Sequence, residues 1–385
     1  MPLVQEKPMP KKIPHRVAVV AGVRTPFIKA GRTYKGLGPL SLGTHVVRGL
    51  IERSGIDPAL VDALAFGTMI PEPGRPNLAR EIVFETGLPS HIEAQTVLSY
   101  CITGLRTITL IADAIAMGRI EVGIAGGAEV LSLAEPTLFR EPVTGLSMGE
   151  SMEITAKAWG LSRERQDEIA LISHRNAVAA RHRLAGEIIP LIGETRDSGP
   201  REDTSLEALA ALKPVFDMEK GSITAGNASP VTDGASAVLL MAEDRARTEG
   251  FTPLVFIRGM AYSALDPQDG LLMAPAIAVP RLLAQAGVSF QDIDLIEIHE
   301  AFAAQVLANV QAWELGWKGA PTGPIDWKRV NVNGGSIAIG HPWSATSGRI
   351  VTTLANELVH RDAHYGLVSI CAAGAMGGAM LLEKP

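Results

Sequence analysis

The sequence of 385 residues has only two cysteines, Cys101 and Cys371, no long basic run and no long apolar run. A membrane span needs about 18 or more consecutive apolar residues, so none is expected. With a net charge of −6 and no basic run, nucleic-acid binding has no support. The two cysteines could form only one disulfide, which gives little support to a disulfide-stabilised secreted domain. The composition, 46% hydrophobic and 20% charged, is that of an ordinary globular protein with room for two or three cores.

The first segment, MPLVQEKPMPKKIPHR, also lacks the apolar stretch of a signal peptide. Its charges and prolines indicate a disordered lead-in, with a short organellar targeting segment as the alternative. We expect a cytoplasmic protein.

Strand and helix patterns alternate along both ends of the chain. RVAVVAGVRTPF predicts a buried strand within 16–27, an apolar face predicts a helix over 41–54, and VDALAFGT predicts a strand over 61–68. This alternation predicts an α/β fold with a largely parallel sheet covered by helices.

The chain also contains a weak internal repeat. TVLSYC leads into an amphipathic helix and the strand EVGIAGGAEV, and VNVNGGSIAIGHP leads into a second helix and the strand YGLVSI. Each copy has a reactive residue where its helix begins, so we predict a duplicated architecture with both helix N-termini at one cleft. Residues 131–221 do not follow this alternation of strands and helices, which indicates a segment inserted into the first copy.

Cys101 lies at a predicted helix N-terminus, where free backbone N–H groups and the helix dipole lower the pKa of a thiol. A thiolate is the species that attacks a thioester carbonyl. The alternative, an inert cysteine packed in the core, fits Cys371 in its strand better.

Three further positions favour chemistry. His341 is held between a glycine and a proline before a helix, which suits a general base. His299 follows the apolar strand DLIEI, at the strand end where α/β proteins bind ligands, whereas Glu300 can be explained as a helix-start carboxylate. Cys371 begins the small-residue turn CAAGAMGG, which can be a hairpin turn, a set of backbone donors for an oxyanion, or both.

These motifs resemble those of thiolases over essentially the whole length from about residue 16. They occur in that family's order: RTPF at 24–27, GLP at 87–89, the Cys101 helix, AGG at 125–127, SMG at 147–149, SRERQDEIALISH at 162–174, TAGNAS at 224–229, HEAF at 299–302, NVNGGSIAIGHP at 331–342 and the Cys371 turn.

The resemblance implies a thiolase-like, duplicated α/β/α/β/α five-layered core with an inserted loop domain. Residues 16–130, completed by 222–250, would form the N-terminal half, 131–221 the loop domain on the CoA-binding side, and 251–385 the C-terminal half. It also implies a homodimer or tetramer that needs no metal or redox cofactor, with coenzyme A as a substrate.

By the same resemblance, Cys101 is the acyl-accepting nucleophile, His341 its base and Cys371 a second acid/base. His299 stands where many family members carry Asn and would hold the thioester oxygen together with His341. The backbone N–H groups of Cys101 and Ala373 would form a second oxyanion hole. The positions implied for contacts with CoA and substrate are Met148, Ala225, Ser229, Met273 and Phe302.

The chain departs from the family pattern beside its cysteines, at Ile102-Thr103 and at Ala373-Gly374-Ala375, and also at Thr232 and Trp343. HEAF together with Cys-Ala-Ala-Gly resembles the β-subunits of fatty-acid-oxidation multienzyme complexes. We therefore expect a degradative 3-ketoacyl-CoA thiolase, acting on CoA thioesters and able to join an enoyl-CoA hydratase/3-hydroxyacyl-CoA dehydrogenase subunit.

Three alternatives remain open at this point. One is a condensing enzyme of the ketoacyl synthase type, against which Cys371 argues. The second is a biosynthetic thiolase that forms acetoacetyl-CoA. The third is a thiolase-like protein that binds acyl-CoA without catalysis.

Overall fold

The structure is a computed structural model that describes residues 15–134 and 140–385. The predicted lead-in, with its targeting alternative, lies almost entirely in residues 1–14, outside this range. Among the described residues, no helix is both long and apolar enough to cross a membrane.

The described residues form ten strands and twelve α-helices. The strands are β1 Val17–Arg24, β2 Ile28–Lys29, β3 Ala63–Gly67, β4 Glu93–Val97, β5 Val122–Val130, β6 Thr232–Ala242, β7 Val255–Ala264, β8 Leu295–Ile298, β9 Tyr365–Ala372 and β10 Met376–Glu383. The helices are α1 Pro39–Ser54, α2 Leu78–Thr86, α3 Thr103–Ala116, α4 Met148–Ala158, α5 Arg163–Ala179, α6 Arg181–Leu184, α7 Leu206–Ala210, α8 Glu243–Thr248, α9 Pro275–Ala286, α10 Ala303–Leu315, α11 Ser336–Ile339 and α12 Trp343–Arg361.

Local sequence sets the ends of the first elements. Helix α1 begins at Pro39, whose fixed φ suits a first helical position, and ends before Gly55 in the left-handed conformation. The strands predicted within 16–27 and over 61–68 are found as β1 and β3, both shorter than the apolar runs that contain them.

The sheet order among the described strands is β4-β3-β5-β6-β1-β7-β10-β9-β8, with β2 paired to β6. The prediction of a largely parallel sheet was wrong. Only the pairs β3–β4, β3–β5 and β8–β9 are parallel. Strand β10 follows β9 after a turn of three residues, which can join only antiparallel strands, and β6 returns antiparallel to β5 after the long segment 131–221.

The elements stack in five layers. Helices α1 and α2 cover one face of the N-terminal strands, with Ile82 in that core. Helices α3 and α12 share one core with strands of both halves, through side chains such as Ile108 and Leu354. Helices α9 and α10 cover the far face of the C-terminal strands, with Val279 in that core. The order α/β/α/β/α is the one that the resemblance implied.

The two halves repeat one plan. The order β3-β5-β6-β1 is matched by β8-β9-β10-β7, and the halves join where β1 pairs with β7 at only two residue pairs. The central helices α3 and α12 can approach closely because Gly104 has no side chain. A Cβ at this position would lie 2.5 Å from the Ser344 carbonyl oxygen. This close crossing brings the N-termini of α3 and α12 together.

Candidate active site

Cys101 lies in a 3₁₀ turn, Tyr100–Ile102, that connects β4 to α3. Tyr100 has a left-handed φ of 51°, a costly conformation for a bulky residue and one that recurs at functional turns. Thr103 holds the turn: its hydroxyl donates to the Tyr100 carbonyl at 2.6 Å and accepts from the Ser99 N–H at 2.8 Å. The threonine that departs from the family pattern therefore supports the bend carrying the cysteine.

His341 comes from the other half and meets Cys101 directly. Its Nε2 lies 3.2 Å from the Cys101 Sγ, and its Nδ1 lies 2.7 Å from the Thr346 hydroxyl in the first turn of α12. A neutral ring that donates from Nδ1 to Thr346 presents an Nε2 lone pair to the thiol. The two helix N-termini thus meet, as the internal repeat predicted.

The acidity of this pair differs from the expectation. Burial raises the pKa of the Cys101 thiol to about 12, although the backbone N–H groups of Ala373 and Cys101 act in the opposite direction. Burial also lowers the pKa of His341 to about 3, with the Arg349 charge adding to the effect. The prediction that a helix terminus would lower the thiol pKa was wrong because desolvation outweighs it. The resting pair is a neutral thiol beside a neutral imidazole.

His299 completes a cluster of three with Cys101 and His341. It follows β8 directly, and its backbone N–H continues the pairing of β8 with β9 by donating to the Ser369 carbonyl at 2.8 Å. Its ring lies against that of His341, with centroids 4.0 Å apart. Its Nε2 is buried and has no hydrogen-bond partner among the described residues. A buried nitrogen without a partner can receive a substrate atom.

Cys371 lies near the end of β9, 1% exposed. Burial raises the pKa of its thiol well above the ordinary value, and the charge of a Cys101 thiolate would raise it further, which places the two sulfurs in one electrostatic environment. The following residues 373–375 form the hairpin turn to β10. The Ala373 N–H faces the Cys101 sulfur, so the turn supplies both a hairpin and a donor.

The strained residue of this turn is Ala375, whose φ is 53°, and not Ala373. A non-glycine residue in this region costs about 1 kcal/mol or more. Ala375→Gly relieves this strain but also adds chain entropy and removes a fully buried methyl group, so the free energy of unfolding is expected to change by less than about 0.5 kcal/mol. Chemical denaturation measures the change. Ala379→Gly, in the middle of β10, is the control and should destabilise; equal losses in the two variants would contradict the strain at Ala375.

A small cavity of about 70 Å³ opens onto Cys101. The buried Glu129 fixes two parts of the lining, Met69 and the start of α12. Its carboxylate accepts from the Met69 N–H at 3.0 Å and from the hydroxyl of Ser344, the residue after Trp343, at 2.7 Å. Trp343, one of the departures from the family pattern, lies in the wall of this cavity. The full lining is Met69, Tyr100, Cys101, Met148, Trp343 and Ala373.

The positions predicted to contact CoA are spread over a wider area. Ser229 is half-buried and donates its N–H to the Ala301 carbonyl at 2.9 Å, next to Phe302, while Ala225 is exposed. Met148 lines the cavity at Cys101. Met273 is fully buried and offers no surface; its sulfur accepts from Asn309. Their contacts with CoA stay predictions.

Glu300 is a support rather than a reactive group. Its buried carboxylate accepts from Asn331 at 2.6 Å and from the Ile337 N–H at 3.0 Å, so it ties the loop before His341 to the start of α10. A Cβ on Gly335 would lie 2.1 Å from this carboxylate, which explains the glycine at that position.

Sequence reasoning missed the groups that hold the two imidazoles. Thr346 contacts His341 Nδ1, and Ser336 contacts His299 Nδ1 at 2.8 Å and accepts from Arg349 at 3.2 Å. Their signal was present, since all three lie within or beside the motif around His341, but a serine or threonine in a helix is usually unremarkable.

The cluster of Cys101, His299 and His341 could also hold a metal ion. One ligand atom from each lies within 4.8 Å of the other two, the only such grouping found in the described part of the chain. A thiolate with two imidazoles suits a soft ion such as Zn²⁺. The resemblance points instead to acid–base use of the same atoms.

Comparison with known proteins identifies the family of this chain. The model for "Thiolase, N-terminal domain" matches residues 17–152 and 138–244, and that for "Thiolase, C-terminal domain" matches residues 251–384. The chain belongs to the thiolase family. The resemblance identified from the motifs is thereby confirmed.

Relatives and a solved structure agree with this assignment. The 3-ketoacyl-CoA thiolases of Pectobacterium carotovorum and Shewanella amazonensis are each 39% identical to it over 422 aligned positions, covering 96% of this chain and 96% and 97% of theirs. The crystal structure of the Bacillus anthracis acetyl-CoA acetyltransferase superposes with a TM-score of 0.86 at 32% identity, covering 96% of this chain and 99% of that one. The predicted thiolase-like fold is confirmed.

Proposed function

We propose that this thiolase is an acetyl-CoA C-acyltransferase that cleaves 3-ketoacyl-CoA with free CoA, giving acetyl-CoA and a shortened acyl-CoA. The observation that carries the proposal is the 3.2 Å approach of His341 Nε2 to the Cys101 sulfur, together with the buried Cys371 thiol and a His299 nitrogen that has no partner among the described residues. The names of the relatives support the same reaction.

In the first half-reaction His341 Nε2 takes the Cys101 proton as the sulfur attacks the 3-keto carbon. The backbone N–H groups of Cys101 and Ala373 receive the resulting oxyanion. The bond between C2 and C3 then breaks, leaving the acyl group on Cys101 and an enolate of acetyl-CoA. His299 and the newly protonated His341 hold the enolate oxygen, and Cys371 donates its proton to C2.

In the second half-reaction the Cys371 thiolate takes the thiol proton of incoming CoA. The CoA sulfur attacks the acyl-Cys101 thioester, and the oxyanion forms again at Cys101 and Ala373. Collapse releases the shortened acyl-CoA, and Cys101 recovers its proton from His341. His341 returns the Cys101 proton, and the CoA thiol proton replaces the one that Cys371 gave to C2, so the enzyme ends in its starting state. The cycle therefore requires no metal or redox cofactor, and coenzyme A is a substrate.

The setting we propose is fatty-acid β-oxidation in the cytoplasm, with the enzyme as a homodimer or tetramer. A complex with an enoyl-CoA hydratase/3-hydroxyacyl-CoA dehydrogenase subunit belongs to the same proposal. The reverse, acetoacetyl-CoA-forming reaction is the second candidate, favoured by the likeness to an acetyl-CoA acetyltransferase and by the small cavity at Cys101.

Thiolysis of 3-ketoacyl-CoA substrates of graded chain length tests the proposal. We expect turnover of chains longer than acetoacetyl-CoA, and loss of most turnover in Cys371→Ser, because serine is too weak an acid to protonate C2. Exchange of the acetyl-CoA methyl protons with deuterated solvent should fail in Cys371→Ser as well.

Several outcomes would decide against parts of this scheme. Turnover of acetoacetyl-CoA alone would select the biosynthetic candidate. Full activity of Cys371→Ser would remove its proton-transfer role. Failure of the wild type to turn over any chain length, with acyl-CoA binding retained, would leave a binding protein. Turnover only of acyl groups on a carrier protein would indicate a condensing enzyme.

A further inference from the structure

The two ring nitrogens of His299 differ in their surroundings. Its Nδ1 lies 2.8 Å from the Ser336 hydroxyl, while its buried Nε2 has no partner in the described part of the chain. The ring lies against that of His341, and one of its nitrogens lies within 4.8 Å of the Cys101 sulfur. Burial lowers the pKa of His299 well below its ordinary value, and the charges of His341 and Arg349 lower it further. The ring is therefore neutral and carries one proton. Whether that proton lies on Nε2 or on Nδ1 decides whether Nε2 acts as a hydrogen-bond donor or as an acceptor.

The hydrogen bonds around Ser336 decide where that proton lies. Arg349 Nη2 donates to the Ser336 oxygen at 3.2 Å, and a guanidinium has no acceptor. The hydroxyl proton of Ser336 must therefore point elsewhere, and among the hydrogen bonds of the described residues its one acceptor is His299 Nδ1. If Nδ1 carried the proton instead, the hydroxyl proton of a fully buried serine would lack a partner, which is costly.

Arg349 is itself fixed in place. It is completely buried in α12 and pairs with the buried Glu297 of β8 at 3.5 Å, two residues before His299. The guanidinium, the serine hydroxyl and the imidazole thus form one chain of donors that runs from the centre of the fold to the site.

We propose that Ser336, oriented by Arg349, is a positioning residue that keeps the His299 proton on Nε2, so that the ring donates to the enolate oxygen. The inference rests on the proposed function, in which His299 receives that oxygen. The other tautomer would point a lone pair at developing negative charge, and losing one such donor costs about 10²-fold to 10³-fold in rate.

The first test is Ser336→Ala, measured with a double-mutant cycle. We expect kcat for thiolysis to fall by about 10-fold to 10²-fold, with KM nearly unchanged, because tautomer preference weakens but is not reversed. In a His299→Asn background, where an amide offers an N–H whatever Ser336 does, the same change should cost about twofold at most. Ser336→Cys, of similar size with a weaker donor, should be intermediate between wild type and Ser336→Ala.

The second test reads the tautomer without activity. Nitrogen NMR of protein labelled at histidine should assign the proton of His299 to Nε2 in the wild type and show a mixture of tautomers in Ser336→Ala. This result does not depend on the proposed activity, and the wild-type spectrum decides even if the variant does not fold. A proton on Nδ1 in the wild type, full kcat in Ser336→Ala, or equal losses in both backgrounds would overturn the inference.

Discussion

Replacement of Cys101 by serine is expected to lower kcat/KM for thiolysis by about 10⁴-fold or more. Serine preserves the size of the side chain and a hydrogen bond to His341, so the pocket should stay intact. A hydroxyl is a much weaker acid than a thiol, however, and an oxygen ester in place of the acyl thioester would pass its acyl group to CoA poorly. Steady-state kinetics measures the loss.

Two measurements separate loss of the nucleophile from loss of structure. The dissociation constant for a non-hydrolysable acyl-CoA analogue should change by no more than about threefold, because the CoA contacts are untouched. Cys371→Ser is the matched control: it removes the other thiol but leaves the acylating group, so iodoacetamide should still label it at Cys101. Retention of a tenth of the wild-type activity in Cys101→Ser would contradict the role of Cys101.

Replacement of His341 by asparagine is expected to produce the next largest loss, about 10³-fold to 10⁴-fold in kcat at neutral pH. The reason lies in the thiol, whose pKa is raised to about 12 by burial. Without a neighbouring base, only a very small fraction of Cys101 is a thiolate at pH 7. Stopped-flow measurement of the acylation step checks the loss directly.

The acylation rate should depend on pH differently in His341→Asn and in the wild type. Below a pKa near 12 the thiolate fraction rises tenfold per pH unit, so the acylation rate of His341→Asn should rise with the same slope between pH 7 and about pH 10. In the wild type the pKa of His341 is lowered to about 3, so the ring stays a neutral base and the profile should be nearly flat there. His364→Asn, at an exposed histidine, is the control and should match the wild type. Parallel profiles for wild type and His341→Asn would show that another group removes the thiol proton.

The outline of this protein could be predicted because its signals are local. Apolar periodicity located the elements, and the repeated pattern of a reactive residue before a helix placed Cys101 and His341 at one cleft. The direction of strands could not be read the same way. A short turn such as 373–375 implies an antiparallel return, but the antiparallel course of β6 depends on how the chain comes back from residues 131–221.

The electrostatics of the site depended on distant parts of the chain. A helix N-terminus beside Cys101 predicts an acidic thiol, but the two halves close over it, and the burial that results raises its pKa instead. The groups that orient the imidazoles, Ser336 and Thr346, became visible only once the fold paired each hydroxyl with a ring nitrogen.

The role of Cys101 as nucleophile is tested most directly by locating the residue that carries the covalent acyl group. Wild-type protein mixed with a 3-ketoacyl-CoA in the absence of free CoA, quenched in acid and digested, should carry the shortened acyl group on the peptide that contains Cys101. Adding CoA before the quench should remove it. An acyl group on Cys371 or elsewhere, or acetyl-CoA released with no acylated peptide, would contradict the assignment of Cys101 as the nucleophile.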